Sequence, residues 1–272
     1  MVNSDFIQML QNASVPDARF EFRCMLEQIT GNRFAPALNA DQQNRILSMI
    51  QRRIQGEPLQ YILGEWEFYG MRIFVGKGVL IPRPDTEILV DTALHWANYK
   101  SGLKILDLCT GSGCIALALK KNLPDAEISA VDTSETALAY AQKNADYHHL
   151  AVHFYHADVL DKNFAENFRN FDMIVSNPPY LTSQEMQELQ IEVRHEPAIA
   201  LFGGPAEDGT YFYRKITDTW KDALKPSGLL AYEIGWKQAE RVSMLLNSHA
   251  FRNIQTFQDL EQRDRVVSAE KI

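Results

Sequence analysis

Lys104-Ile105-Leu106-Asp107-Leu108-Cys109-Thr110-Gly111-Ser112-Gly113-Cys114-Ile115-Ala116-Leu117-Ala118-Leu119 is the stretch that decides the fold. An apolar strand runs into a glycine loop and straight on into a helix. Gly111 and Gly113 let the backbone approach a ligand closely, and the first amides of the helix point into the same crevice. Strand, loop and helix in this order form the first half of a nucleotide-binding α/β unit. Outward from it the pattern repeats. Residues 128–131, 152–155, 171–175 and 229–234 read as strands, and helical spacing covers 114–122, 134–147, 211–223 and 236–248. That alternation predicts a doubly wound, mainly parallel α/β sheet. Residues 254–257 and 266–268 flank a polar turn at 259–264 and suit an antiparallel hairpin at the end of the sheet.

The first part of the chain is different. Residues 1–58 carry helical periodicity, with Phe20, Cys24, Met25 and Ile29 on one stripe and Ile46, Ile50 and Ile54 on another. Gly31-Asn32 and Asn39 punctuate this small helical domain, and Gln55-Gly56-Glu57-Pro58 closes it. Residues 59–84 follow as a β-hairpin linker, with alternation on both sides of Tyr69-Gly70-Met71, and 85–272 form the sheet domain.

Composition narrows the function. A chain of 272 residues, 46% of them hydrophobic, can bury a full core. Lys and Arg total 27 against 35 Asp and Glu, a net charge of −8, so the overall field repels a polyanion and stable nucleic-acid binding is not expected. A local basic patch such as Arg52-Arg53 is compatible with that balance. Cys24, Cys109 and Cys114 lack paired spacing and sit at apolar positions, which predicts buried free thiols; no metal ligand set is visible. The start Met-Val-Asn-Ser-Asp lacks a basic segment followed by an apolar one, and no apolar run nears the ~20 residues that span a bilayer. A cytoplasmic protein without membrane attachment is expected.

The glycine loop by itself suits two cofactors. A dinucleotide fingerprint asks for a third glycine at position 116, where this chain has the tolerated Ala116. Asp132, closing the second strand, is placed to take both ribose hydroxyls of either ligand. Asp107, ahead of the loop, separates them, since an acid there faces the ammonium of S-adenosylmethionine better than a pyrophosphate. Asp158 after the third strand suits the adenine amino group, with the Val159 N–H near a ring nitrogen.

The strand at 171–175 leads into Asn177-Pro178-Pro179-Tyr180. Two prolines fix φ and stiffen the turn. The Asn177 side-chain carbonyl and the Pro178 main-chain carbonyl are then two acceptors able to converge on one planar NH2 group, with the Tyr180 ring over its plane. An amide or an exocyclic amine fits. Held so, its nitrogen can be aimed at an electrophilic methyl, and a flipped adenine in nucleic acid is the rival substrate.

With Val79-Leu80-Ile81-Pro82-Arg83-Pro84-Asp85-Thr86-Glu87 added to residues 107–113, Asp132 and Asn177 to Tyr180, the chain resembles the HemK-like protein-(glutamine-N5) methyltransferases that modify peptide chain release factors. The resemblance spans roughly residues 56–270. It implies a Rossmann-like class I S-adenosylmethionine-dependent methyltransferase, with the glutamine of the Gly-Gly-Gln tip of class I release factors as substrate and the helical domain as the docking element. Carried over, Cys109, Thr110, Gly111, Ser112, Gly113 and Asp132 hold S-adenosylmethionine, and Asn177 to Tyr180 hold the amide, with Asn177 on both sides. Cys109 stands where such loops usually carry glycine, so φ below zero is expected there, and Val159 where an aromatic is common. Arg83 is assigned to the substrate loop, the cofactor carboxylate or an ion pair with Glu87. Asp85 is read as a helix N-cap, and Glu196 and Asp208 as possible substrate-facing residues.

Overall fold

The computed structural model describes residues 2–272. Four helices open the chain: α1 (Asn3–Asn12), α2 (Ala18–Thr30), α3 (Ala40–Ile54) and α4 (Leu59–Leu63). Gly31 ends α2 at φ 72, and Asn39 caps α3 by accepting from Gln42 N at 2.9 Å while Gln42 reaches back to Asn39 N. Their core is Phe6, Leu10, Phe22, Met25, Leu26, Ile46 and Ile50, joined by Leu59 and Ile62. Helical packing therefore runs on past residue 58 into the segment expected to be hairpin.

Two residues of the expected stripes are exposed, Phe20 and Ile54, each at 43%. What lies inside instead is a charged pair. Arg53 donates to both carboxylate oxygens of Glu21, at 2.6 and 3.0 Å, and also pairs with Glu192. Arg52 pairs with Glu57. The Arg52-Arg53 dipeptide is thus internally neutralised and is not a free basic patch.

Strands β1 (Glu65–Phe68) and β2 (Met71–Phe74) form the expected hairpin, and Tyr69 and Gly70 at its tip both have positive φ, as a tight two-residue turn requires. After α5 (Glu87–Ala97) come β3 (Lys104–Leu108), α6 (Cys114–Asn122), β4 (Glu127–Asp132), α7 (Glu135–His148), β5 (His153–His156), α8 (Lys162–Ala165), β6 (Phe171–Ser176), α9 (Ser183–Gln187), α10 (Tyr211–Trp220), β7 (Leu224–Glu233), α11 (Ala239–Ser248), β8 (Phe251–Gln258) and β9 (Asp264–Lys271). The seven-stranded sheet has the order β5-β4-β3-β6-β7-β9-β8, parallel except for β9 and its pairings. This is the doubly wound sheet expected, with the terminal hairpin at its edge.

Side chains alternate across a strand, and the two cores follow that period. Ile105, Met173, Val175, Leu229 and Ala231 join the α5–α6 side, while Leu106, Leu108, Ile174, Leu230 and Tyr232 join the side of α10 and α11. The strand order reverses between β3 and β6, and ligands of such sheets bind at the carboxyl ends of the strands at that point.

Candidate active site

A cavity of about 230 Å³ opens at that reversal. Of the residues singled out in the sequence, Arg83, Cys109, Thr110, Gly111, Ser112, Asp132, Asp158, Val159, Asn177 and Pro179 line it. Asp107, Gly113, Pro178 and Tyr180 do not.

The glycine loop is held from beneath. Thr110 N donates to Val131 O at 3.1 Å, and the Thr110 hydroxyl donates to Asp107 Oδ2 at 2.5 Å. Asp107 is fully buried, its second oxygen, Oδ1, has no partner among the described residues, and burial pushes its carboxyl up to about 7. An orphaned acceptor directly behind the loop is costly unless something satisfies it. Gly111 has φ 57 and faces open space, so glycine serves the backbone there. Gly113 differs: a Cβ would stand 3.1 Å from Ala141 Cβ, so it lets α6 pack on α7. Cys109 adopts φ 61, contrary to the expectation of a negative value, at a cost of roughly 1–2 kcal/mol. It is half-buried, whereas Cys24 and Cys114 are buried; all three thiols are free.

Asp132 accepts from Gly111 N at 2.8 Å and from Ser134 N at 2.9 Å, one donor on each oxygen. Burial raises its pKa and these backbone amides oppose the rise. Each oxygen keeps a lone pair for a ligand hydroxyl. Asp158 forms an Asx turn with Leu160 N at 2.9 Å while still lining the cavity, and Val159 O takes the indole N–H of Trp220 at 2.7 Å. Helix N-terminus, unsatisfied Asp107 oxygen and half-satisfied Asp132 together fit S-adenosylmethionine, with its ammonium, ribose and adenine ends.

Across the cavity, Asn177 Nδ2 donates to Thr86 Oγ1 at 3.4 Å. Ser176 Oγ ties the end of β6 to Leu108 O at 2.6 Å, and Gln238 Nε2 holds Tyr180 O at 3.1 Å. Tyr180 packs against the α10–α11 core, not over the cavity, and burial raises its phenol pKa. Gly203 and Gly209 press on its backbone so closely that a Cβ would stand 2.7 and 2.3 Å away. The ring expected to cover an amide plane is therefore a wall of the turn, and Phe212 of α10 lines the cavity. The cluster Tyr211-Phe212-Tyr213 at the head of α10 was the available signal for it.

Arg83 pairs with Glu196, whose other oxygen accepts from Ile81 N at 3.0 Å; Glu87 instead accepts from Tyr69 N at 2.7 Å. Glu196 is buried, and Asp208 pairs with Arg214 at 2.8 Å, so both brace the return segment internally and neither faces out as an unpaired acid. Asp85 does not cap α5: it lies within a short 3-10 turn, Pro84–Thr86, and pairs with Arg265 at 2.9 Å. Glu192 on Arg53 and Glu196 on Arg83 thus strap the segment after the active-site turn to both the helical region and the linker. Ile199, exposed at 61%, gives the cavity mouth an apolar edge.

Residues 4–64 match the model of the PrmC N-terminal domain, and residues 85–196 that of the Methyltransferase small domain. The chain is 43% identical over 239 residues to the release factor glutamine methyltransferase of Thermodesulfovibrio yellowstonii, covering 87% of this chain and 84% of that one. The Geobacter sulfurreducens protein of the same name is 39% identical over 266 residues, covering 95% and 91%. A solved methyltransferase structure from Pyrococcus furiosus shares the fold at a TM-score of 0.56 and 18% identity, over 86% of this chain and 99% of that one. These matches take in the helical region and the sheet domain alike, and the chain belongs to the release factor glutamine methyltransferase family.

Proposed function

We propose that this protein transfers a methyl group from S-adenosylmethionine to the side-chain nitrogen of the glutamine in the Gly-Gly-Gln motif of class I peptide chain release factors. The observation that carries it is the shared cavity: Asn177 and Pro179 of the stiff turn line the same space as Cys109, Gly111 and Asp132. When bound, the cofactor supplies an electrophilic methyl on a sulfonium.

The chain's part is positioning. An amide nitrogen is a weak nucleophile because its lone pair is delocalised into the carbonyl. Asn177 Oδ1 and the Pro178 carbonyl accept its two hydrogens, favour pyramidal nitrogen and fix the direction of the freed lone pair. Orientation of this kind supplies up to ~7–11 kcal/mol. Positive charge grows on nitrogen as its bond to the methyl carbon forms and the carbon–sulfur bond breaks, so the two acceptor dipoles act most strongly in the transition state. One amide proton then leaves to water, and no side chain need act as base. Asp107 and Asp132 serve the cofactor half, and the helical region strapped through Arg53 and Glu192 is the docking element for the release factor.

The test is transfer of label from S-adenosylmethionine to three samples: an intact class I release factor, the same factor with the Gly-Gly-Gln glutamine replaced, and DNA. Label on the intact factor alone is the expected result. Label on DNA would put a flipped adenine in the cavity and overturn the proposal.

A further inference from the structure

Strand alternation sends residues 105 and 107, 173 and 175, and 229, 231 and 233 to one face of the sheet, the face covered by α5 and α6. The last strand residue of that set on β7 is Glu233. It is buried at 3% exposure, and its Oε2 has no partner among the described residues. The Thr86 side chain, at the head of α5 and 2% exposed, faces the Glu233 carboxyl on one side and accepts from Asn177 Nδ2 on the other. Asn177, Thr86 and Glu233 therefore form a chain leading from the cavity wall into the interior.

A hydroxyl has one proton to give, whereas a carboxamide can turn either end to its neighbour. With Glu233 ionised, the Thr86 proton goes to the carboxylate and only lone pairs are left for Asn177. Asn177 must then present its NH2 to Thr86, which turns Oδ1 toward the cavity. We propose that Glu233, acting through Thr86, is a positioning residue that sets the Asn177 carboxamide with its acceptor oxygen facing the substrate amino group. The inference rests on the amide-methylation reading and explains the place of Thr86 in Pro82-Arg83-Pro84-Asp85-Thr86-Glu87. When Glu233 is protonated it can donate to Thr86, the Thr86 proton swings to Asn177 Oδ1, and a donor is presented to a donor.

The charge state of Glu233 is poised for this. Burial pushes its carboxyl up to about 7, with Thr86 opposing the rise. Asp85 on the turn before α5 raises it further, while Arg265 of β9 and Arg83 lower it. Tyr180, Tyr213 and the Cys114 thiol also face it, and burial holds all three in their neutral forms near pH 7. The ionised, productive fraction therefore grows as pH rises through about 7.

The experiment measures kcat and KM for the release factor at saturating S-adenosylmethionine between pH 5.5 and 9, with cofactor dissociation constants by calorimetry, for Thr86→Val, Thr86→Ser and Glu233→Gln. Thr86→Val keeps the shape and removes the hydroxyl. It is expected to lower kcat about tenfold or more, flatten the acid limb and leave cofactor affinity unchanged; Thr86→Ser recovers most of the rate and the limb. Glu233→Gln likewise flattens the limb, and the Thr86 pair decides the matter even where that variant fails to fold. Wild-type kcat and pH profile in Thr86→Val overturn the inference alone. Absence of transfer by the unaltered protein overturns the amide-methylation reading, and the inference with it.

Discussion

Asp107 and Glu233 lie at the carboxyl ends of the two strands that flank β6, and their surroundings match: each is buried, each has one oxygen without a partner among the described residues, each is pushed up to about 7 by burial, and each faces a threonine. They differ in where the threonine comes from. For Asp107 it is Thr110, three residues on in the same loop. For Glu233 it is Thr86, delivered by a different element. The cofactor half of the cavity is thus centred on one strand–loop–helix unit, to which Asp132 of β4 and Asp158 after β5 are added, whereas the amide half is assembled entirely from the head of α5, the turn after β6 and the end of β7. A local unit keeps its geometry wherever the chain carries it. An assembled one exists only once the sheet is formed, and it can be tuned without disturbing the cofactor loop.

Asn177 lies between the two acids, and replacing it is expected to have the largest effect. Asn177→Asp keeps an acceptor but adds a third carboxyl, and kcat for release factor methylation should fall roughly 10²- to 10³-fold, in the range for loss of a transition-state hydrogen-bonding group. Turnover near that of the unaltered protein, in the same steady-state assay, would remove Asn177 from the account. Next comes the division of labour. Asp107→Asn should weaken S-adenosylmethionine binding about 10- to 100-fold, since a charge-assisted hydrogen bond is worth ~1.5–3 kcal/mol, while Glu233→Gln leaves that affinity unchanged. Equal losses in calorimetry would erase the distinction between the halves.

Both acids also make stability depend on pH, with a sign opposite to that of a salt-bridged carboxylate. Their folded-state pKa values lie above the unfolded ones, so the native state holds the extra protons. The stability they confer is full below about 4 and is lost as pH rises toward about 7. At pH 8, Asp107→Asn and Glu233→Gln should each be more stable than the unaltered protein by on the order of 1–3 kcal/mol, and at about pH 4 the gap should close. Denaturant unfolding at the two pH values measures it. Activity, in contrast, is expected to rise over the window in which stability falls, a trade-off common at active sites. The smallest effect belongs to the loop itself: Cys109→Gly removes left-handed strain and should add about 1 kcal/mol in the same unfolding experiment.

This contrast also explains what the sequence made legible. Strand 104–108 and helix 114–122 were read at the boundaries found, and Asp107 stood out because its glycine loop adjoins it. Thr86 looked like an ordinary helix start, and Glu233 like the end of an apolar strand, because nothing local marks a pair that meets only across the sheet. In the helical region the apolar stripes admitted Phe20 and Ile54, which are exposed, and passed over Glu21 and Arg53, which are buried. Apolar periodicity has no means of reporting an ion pair that satisfies itself inside a core. The ring of Tyr180 was misplaced for a related reason, since its packing is set by Gly203, Gly209 and Gln238 on segments that return later.

Mass-spectrometric localisation of the methyl group on a class I release factor treated with this protein and S-adenosylmethionine tests the central claim most directly. The account predicts a single methyl on the side-chain nitrogen of the Gly-Gly-Gln glutamine. A methyl on any other residue, or none, would contradict it.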